Sequence, residues 1–508
     1  MTARVASASE TVACERATMA GGSTSAELMS RAGHAAAREI QERCADRLGN
    51  GVAVFAGSGN NGGDGWVVAE ALAKCGISVA VVNATEPRSQ EATKARETAL
   101  AAGTTVGKGS GGERLVVDAL LGTGSSGAPR GDVANSIDEI IARRDDGAFV
   151  VSLDVPSGFD ATTGEQEGAV TADLTVSFGT MKRGHLISRA SCGEIVVVDI
   201  GLANGKEMTT LPLLVDSEWV YSRIPPIPPD AHKGTRKRLA VVGGGPGMAG
   251  ATILCGEGAL RSGIGLLRIV AAPVNAVAIH AAIPAALFQE WPSTPSALEK
   301  LASSSDVIAI GPGLGNSPMT RDLVERVLLA WSGPVVIDAD ALNVFAGDVH
   351  SLAKLLHGRP SIVTPHPAEM GRLIGVTTQE VLSNRFEVGA DLAAKLGGAV
   401  LLKGTPTVIF SSDGSRYVSA SGTAALATGG SGDVLSGIAS TLLAQMSGAA
   451  RTPAEAAACA AFIHGRAAEL CKFIRGTTLD DILEMLPAAW NESPAPRLPG
   501  ILAEVASH

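Results

Sequence analysis

From Val52 onward the chain alternates short β-branched runs with glycine-bearing turns and Ala-rich stretches of helical period. The runs predict strands at Val52–Ala56, Ile77–Val82, Leu115–Asp118, Phe149–Asp154, Leu174–Phe178 and Ile195–Asp199. Alternation of this kind implies βαβ units and a mostly parallel sheet. The pattern lapses over Ile224–Arg238, where IPPIPP puts four prolines in six positions, which forbids regular helix and suits an extended connector. A second series follows, with strands near Leu239–Val242, Leu266–Val270, Val307–Ile310, Val335–Asp338, Ser361–Val363 and Ala399–Leu402. Helices are predicted at Ala251–Arg261, Thr378–Leu396, Asp433–Gln445 and Pro453–Cys471. The expected organisation is α/β throughout, with one domain over 1–220, a Pro-rich linker over 221–237, a second domain over 238–495 and a tail over 496–508.

Length and charge narrow the class. At 508 residues the chain exceeds what one core supports. A net charge of −10 argues against a protein that coats nucleic acid or anionic membrane, so any phosphate is held locally. Seven scattered cysteines form no CxxC and no zinc spacing, as expected of reduced thiols in the cytoplasm. No charged start with a long apolar run opens the chain, so no secretory signal is expected. The most membrane-like stretch, Ile269–Phe288, is interrupted by Pro273, Asn275, His280 and Pro284 and reads as core.

In the first half, Val52–Gly76 is a strand, a glycine loop and an amphipathic helix in succession. Gly57-Ser58-Gly59-Asn60-Asn61-Gly62 formally matches GxGxxG, in which amides and a helix N-terminus face a pyrophosphate. Asn83-Ala84-Thr85 supplies no ribose-binding acid and no Lys-Ser/Thr completes a P-loop, so a redox Rossmann domain is not indicated. Glycines alone could be turns, but Asn60, Asn61 and Asp64 in a loop that opens a helix are hard to explain by packing. Three further strand ends carry polar residues: Asp118 before Leu120–Gly131, Asp154 before VPSGFD, and Ser177 before FGTMKRG. In a parallel sheet these ends converge on one rim. Gly122-Thr123-Gly124-Ser125-Ser126-Gly127 offers a second set of amides and hydroxyls to phosphate. Asp118 could instead cap a helix or turn.

GNNGGDG, DALLGTG and LDVPSG, in this order and spacing, resemble the NAD(P)H-hydrate epimerase domain over about Leu28 to Gly201. The resemblance implies a Rossmann-like three-layer domain. It also implies that Asn60, Asn61, Gly62, Gly63 and Asp64, the loop Gly122, Thr123, Gly124, Ser125, Ser126, Gly127 and Ala128, and Asp154 hold the hydrated nicotinamide nucleotide. Asn61, Asp118 and Ser157 would bind K+, a hard cation that seeks oxygen. The hydrate is a hemiaminal at nicotinamide C6, and Asp154 is the candidate acid/base for scrambling that centre. Ser30 stands where the family usually has glutamate.

In the second half Thr428-Gly429-Gly430-Ser431-Gly432-Asp433 opens a helix, giving an anion hole with an aspartate within reach of an acceptor hydroxyl. Asp433 could alternatively be an N-cap. TPHPAEM sets His366 and Glu369 three apart; a buried structural histidine is the other reading. Asp338, Asp340 and Asn343 follow one strand, Gly311–Gly315 another, and LLKGTPTVIF places Lys403 at a third. Taken with GGGPGMAGA, these motifs resemble the ADP- or ATP-dependent NAD(P)H-hydrate dehydratase domain, ribokinase-like α/β/α in fold, over about Lys233 to Leu486. The resemblance implies that Ala251, Gly313, His366 and Asp433 contact the hydrate and that Lys403, Gly404, Thr405, Pro406, Thr407 and Gly432 contact the adenine nucleotide. Asp433 would activate the substrate hydroxyl for phosphorylation, with Mg2+ shielding the phosphates.

Epimerase followed by dehydratase is the order of the bifunctional NAD(P)H-hydrate repair family. The expected partners are therefore NADHX or NADPHX and ADP or ATP, with no nucleic acid and no membrane, and a homo-oligomer as the assembly. The alternative is a ribokinase-like small-molecule kinase behind a non-catalytic ligand-binding or scaffold domain.

Overall fold

Successive residues of the strand Val52–Ala56 point to opposite faces of its sheet, and the packing follows that alternation. Val52, Val54 and Ala56 join a buried cluster with Ile40, Trp66, Leu72 and Ala99, whereas Ala53 and Phe55 join another with Ile137 and Ile140. Helices Ser25–Arg43, Asn60–Lys74 and Gln90–Ala101 thus cover one face and Asp132–Asp145 the other, giving three layers. Burying a side chain such as Phe55 contributes roughly 1.5–3 kcal/mol.

This computed structural model describes residues 2–202, 206–447, 451–492 and 499–507. The chain divides into two units, Met1–Leu214 with Pro496–His508, and Val215–Ala495. In the first, the strands run in the order Ile501–Val505, Glu194–Val198, Leu174–Phe178, Phe149–Leu153, Leu115–Ala119, Val52–Ala56, Val79–Asn83, Thr105–Val106. All pair parallel except Ile501–Val505. Residues 496–508, expected as a tail, therefore supply an antiparallel edge strand. Arg43 ties it down by pairing with both Glu194 and Glu504. The boundary expected at 495/496 lies outside the described residues.

In the second unit Arg238–Val242 lies between Leu266–Ala271 and Val307–Ile310. Val335–Ile337, Ser361–Val363 and Ala399–Leu402 continue the parallel sheet, and the hairpin Thr407–Ser411 and Arg416–Ser419 extends it antiparallel. Helices Ala249–Arg261 and Ser431–Met446 meet backbone to backbone: a Cβ on Gly437 would lie 2.0 Å from the Cys255 carbonyl oxygen.

Most predicted strands appear within a residue or two of their expected bounds. Two further expectations change. The helix over Thr378–Leu396 is two, Thr378–Ser383 and Ala390–Leu396, because the chain turns at Asn384. Arg385 is drawn inward there, donating to the Pro406 carbonyl at 2.8 Å. The residues expected as linker pack on the second unit: Tyr221 Oη donates to the Ala489 carbonyl at 2.6 Å, Arg223 pairs with Glu455 at 3.0 Å and Arg236 Nε donates to the Gly263 carbonyl at 3.0 Å. Among the described residues no helix is long and apolar enough to cross a membrane; Ile269–Phe288 is strand, turn, short helix and strand.

Candidate active sites

The chain reverses its direction across the first sheet at Val52–Ala56, whose neighbours are Val79–Asn83 on one side and Leu115–Ala119 on the other. Loops leaving adjacent strands part at such a point and leave a crevice. A cavity of about 660 Å³ opens there. The helix Asn60–Lys74 points its N-terminus into it with Gly59 as N-cap and no capping side chain, so its first amides are free for an anion.

Asn60, Asn61, Asp64, Gly122, Thr123, Gly124, Ser125 and Asp154 all line this cavity. Gly62 and Gly63 do not; they pack behind it, where a Cβ on Gly62 would lie 1.9 Å from the Gly57 carbonyl oxygen and one on Gly63 2.4 Å from Met29 Cε. Ser126 and Gly127 instead border a neighbouring hollow of about 60 Å³, and Ala128 is exposed and lines neither. Ser30 is also exposed, off the cavity, with His34 Nδ1 3.4 Å from its hydroxyl. Gly62→Ala is expected to dismantle the loop, lowering the thermal midpoint of the first unit and abolishing its activity; calorimetry showing an unshifted transition would refute the close approach.

Asp154 follows the strand Phe149–Leu153 at φ +66°, a region that costs a non-glycine residue roughly 1–2 kcal/mol. Its Oδ2 accepts from the Thr123 amide at 3.1 Å and from the Thr123 hydroxyl, and Oδ1 accepts from the Phe178 amide at 3.3 Å. Lys182 Nζ lies 2.5 Å from Oδ1. Burial would raise this carboxyl, but the Lys182 ammonium and the Thr123 hydrogen bonds hold it below the usual range. Asp64 is the reverse: burial, then the charges of Asp154 and Glu15, raise it well above that range.

Asp118, Ser157 and Asn61 are knitted together through neighbouring backbone. Ser157 donates to Asp118 from its amide at 2.8 Å and its hydroxyl at 2.6 Å; the same hydroxyl accepts from the Leu121 amide at 2.9 Å, and Asn61 Nδ2 donates to the Leu121 carbonyl at 2.9 Å. Asp118 is thus more than a turn acid. Burial lifts its carboxyl above the ordinary range although these hydrogen bonds oppose the shift. Asn61 Oδ1 is buried with no hydrogen-bond partner. Among the described residues no cluster of three His, Cys, Asp or Glu side chains is placed to hold a metal. A cation here would rest on the Asn61 oxygen, neighbouring neutral oxygens and one carboxylate, a set that fits K+.

In the second unit the helix Ser431–Met446 begins at N-cap Gly430, again with no capping side chain. Asp433 therefore sits in the first turn and is not the N-cap. Lys403, at the end of Ala399–Leu402, donates to Asp338 Oδ1 at 2.7 Å and lies 3.7 Å from Glu369. Asp338 Oδ2 accepts from Ser436 Oγ at 2.7 Å. Burial would lower Lys403, but Asp338 and Glu369 hold it raised and cationic. A Cβ on Gly432 would lie 3.2 Å from its Nζ, so the cation stands directly behind the anion-binding turn. Burial and then Asp338 push Asp433 up to about 7 against the pull of Lys403.

His366 is half-exposed rather than buried. It caps the helix Pro367–Ile374, its Nδ1 accepting from the Ala368 amide at 3.2 Å, with Nε2 3.5 Å from Glu369. Partial burial lowers it, Glu369 opposing, which favours the neutral ring at pH 7. Through Glu369 and Lys403 it is brought to the Gly432–Asp433 turn. Gly313 and Ala251 also meet, a Cβ on Gly313 falling 3.0 Å from that of Ala251. Gly404, Thr405, Pro406 and Thr407 form the turn after Lys403, closed by the Thr407 hydroxyl donating to the Gly404 carbonyl at 2.9 Å.

Two groups of the first site carry no motif in the sequence. Glu15, on the helix Ala8–Ala20, lines the cavity. Lys182 belongs to a strand-end loop singled out for Ser177, and only its burial shows that it faces inward.

Two mostly parallel α/β units, each presenting an uncapped helix N-terminus beside an acidic side chain, define a class of enzyme that handles phosphorylated small molecules. A family model described as NAD(P)H-hydrate dehydratase matches residues 239–488, and one described as YjeF-related protein N-terminus matches residues 25–184. Bifunctional NAD(P)H-hydrate repair enzymes are similar over nearly the whole chain. That of Coxiella burnetii is 35% identical, covering 90% of this chain and 92% of its own, and that of Escherichia coli is 36% identical, covering 90% and 87%. A solved ADP/ATP-dependent NAD(P)H-hydrate dehydratase from Bacillus subtilis, co-crystallised with ATP and Mg2+, is 31% identical over 54% of this chain and 96% of its own, with a TM-score of 0.48. The chain belongs to the family of bifunctional NAD(P)H-hydrate repair enzymes, which sets aside the small-molecule kinase with a scaffold domain.

Proposed function

We propose that the first unit interconverts the R and S epimers of NAD(P)H hydrate in the 660 Å³ cavity, with Asp154 as its acid/base, and that the second dehydrates the S epimer with ADP or ATP. One observation carries this: each sheet sets free helix-terminal amides next to a carboxylate, as grip on a phosphate beside proton transfer requires. In the first cavity the amides of Asn60 and Asn61, with those of Gly122 and Gly124, would hold the nucleotide's phosphates. Asn61, Asp118 and Ser157 would hold K+, which would neutralise a carboxylate otherwise buried without a cation.

In the second unit Asp433 removes the proton of the C6 hydroxyl as its oxygen bonds the terminal phosphorus of the nucleotide. The bond to the leaving phosphate breaks, giving AMP from ADP or ADP from ATP. Phosphate then leaves C6 with the bonding pair, and loss of the C5 proton restores the dihydronicotinamide. The amides of Gly429, Gly430 and Gly432 and the Lys403 ammonium meet the charge on the transferring group. Ala251, Gly313 and His366 would hold the hydrate, and Lys403–Thr407 the adenine nucleotide. Asp338 is already engaged by Lys403 and Ser436, so Mg2+ would arrive on the nucleotide's phosphates.

The test is to add S hydrate with ADP or ATP and follow the return of the NADH absorbance band across pH. Asp433 must be ionised to accept the proton, and it is raised to about 7 by burial and Asp338. With Lys403, Asp340 and Glu369 as its other charged neighbours, kcat/KM should climb about tenfold per unit below that pH and level off above it. No regained band would refute the reading, and a flat profile between about pH 5.5 and 8 would remove Asp433 as the base.

A further inference from the structure

Lys182 is wholly buried, yet among the described residues its one carboxylate partner is Asp154, at 2.5 Å. Its remaining contacts are neutral oxygens: Ser177 Oγ at 3.1 Å, the Phe178 carbonyl at 3.0 Å and the Thr180 carbonyl at 3.2 Å. It does not line the cavity, whereas Asp154 and Asp64 do. The segment that carries it is held from behind, since Met181–Lys182 pairs parallel with Val5–Ala6, the strand that leads into the helix bearing Glu15. A buried ammonium pointed at one oxygen of a carboxylate, with the other oxygen fixed by Thr123, leaves that carboxylate one position and one charge state.

We propose that Lys182 is a positioning residue of the epimerising site, holding Asp154 as the proton acceptor and leaving Asp64, on a second element of the same cavity, as the proton donor. This rests on the reading of the first unit as the epimerase. The Asp64 carboxyl protonates the C6 hydroxyl, the C–O pair leaves with the oxygen as water, and the N1 lone pair forms the C6=N1 iminium. Water then adds to the opposite face of C6 while the Asp154 carboxylate takes its proton, and a proton passing from Asp154 to Asp64 through water resets the pair. Environments that drive two neighbouring acids in opposite directions mark them as base and acid, and here Asp154 is held low and Asp64 raised. The other charged or titratable groups facing Asp154 do not substitute for Lys182. Glu15 is itself raised, by burial and then Asp154. His185 is pushed down to about 3 by burial and then Lys182, and so is neutral. Arg88 and Arg130 line the same cavity from its loops, but among the described residues neither pairs with Asp154, whose ion pair is with Lys182.

The experiment uses the full-length chain without ADP or ATP, so that the second unit is silent, and follows an enriched hydrate relaxing between R and S by chromatography. In wild type the acid limb of the rate should lie below the ordinary carboxylate range, since Lys182 holds Asp154 down against its burial. In Lys182→Met it should move up by at least about one unit, giving a tenfold or greater loss along the acid limb, below both apparent pKa values, that recovers toward wild type by pH 9. A loss of equal size at every pH, as a purely structural role would give, or no loss at all, overturns the inference. A wild type that does not interconvert epimers overturns the reading of the first unit and this inference with it. Should Lys182→Met fail to fold, 13C-labelled aspartate carboxyls in the wild type decide, with Asp154→Asn giving the assignment. Asp154 staying ionised to below about pH 4 while Asp64 titrates far above it supports the proposal; Asp154 titrating above Asp64 overturns it.

Discussion

Asp433→Asn is expected to lower the rate of dehydration by about 10²–10⁴ while the chain stays folded, because the amide keeps the shape and loses the ability to take the hydroxyl proton. The sign of the stability effect separates this from a general lesion. Burial and Asp338 raise the Asp433 carboxyl to about 7, so the folded state binds a proton that the unfolded chain gives up nearer pH 4. Stability from this group therefore falls as pH rises from about 4 to 7, and above 7 the ionised carboxylate costs stability. Removing it should leave the thermal midpoint at pH 8 at or above that of the parent. Nucleotide binding should persist, since Lys403 and the turn amides remain. Dehydration within threefold of wild type, or a midpoint that drops with activity, would take the proton-accepting role away from Asp433.

How much of this was legible in the sequence depends on the distance over which each feature is determined. The strands at Val52–Ala56, Leu174–Phe178 and Val307–Ile310 were read to the residue, because a β-branched run between glycine turns is a local signal. The rim loops were legible for the same reason, and Asn60, Asn61, Asp64, Gly122 and Asp154 do meet around one cavity. What was lost depends on partners far along the chain. Ile501–Val505 reads as a tail until Glu194–Val198 is there to pair with it. The split of the helix after Ser383 is set by Arg385 reaching a carbonyl 21 residues on. A lysine in a loop looks like a solvated charge, and only the Asp154 carboxylate, 28 residues earlier, shows that Lys182 is buried. Ser126, Gly127 and Ala128 went the other way: the motif ran past the end of the cavity that its first four residues line.

The choice of substitution at Asp154 decides what its loss reveals. Alanine would leave the Lys182 ammonium buried among neutral oxygens, and removing one partner of a buried pair costs about 3–5 kcal/mol. Asp154→Ala should thus unfold the first unit at lower temperature as well as silence it. Asp154→Asn removes the carboxylate but keeps one oxygen that can still accept from Lys182, so it comes closer to isolating the chemistry. With a mixture of hydrate epimers and excess ADP or ATP, wild type should return all of the hydrate to NAD(P)H. The asparagine variant should recover only the fraction that starts as S, at the wild-type initial rate, and then stop at a plateau. Adding a catalytic amount of the Asp433→Asn chain, whose first unit is intact, should release the plateau and carry the reaction to completion. Complementation in that mixture requires two independent sites joined by a freely diffusing hydrate. A variant that consumes the R epimer unaided would show that Asp154 is not the epimerising base, and a plateau that the added chain does not relieve would show that the lesion lies elsewhere.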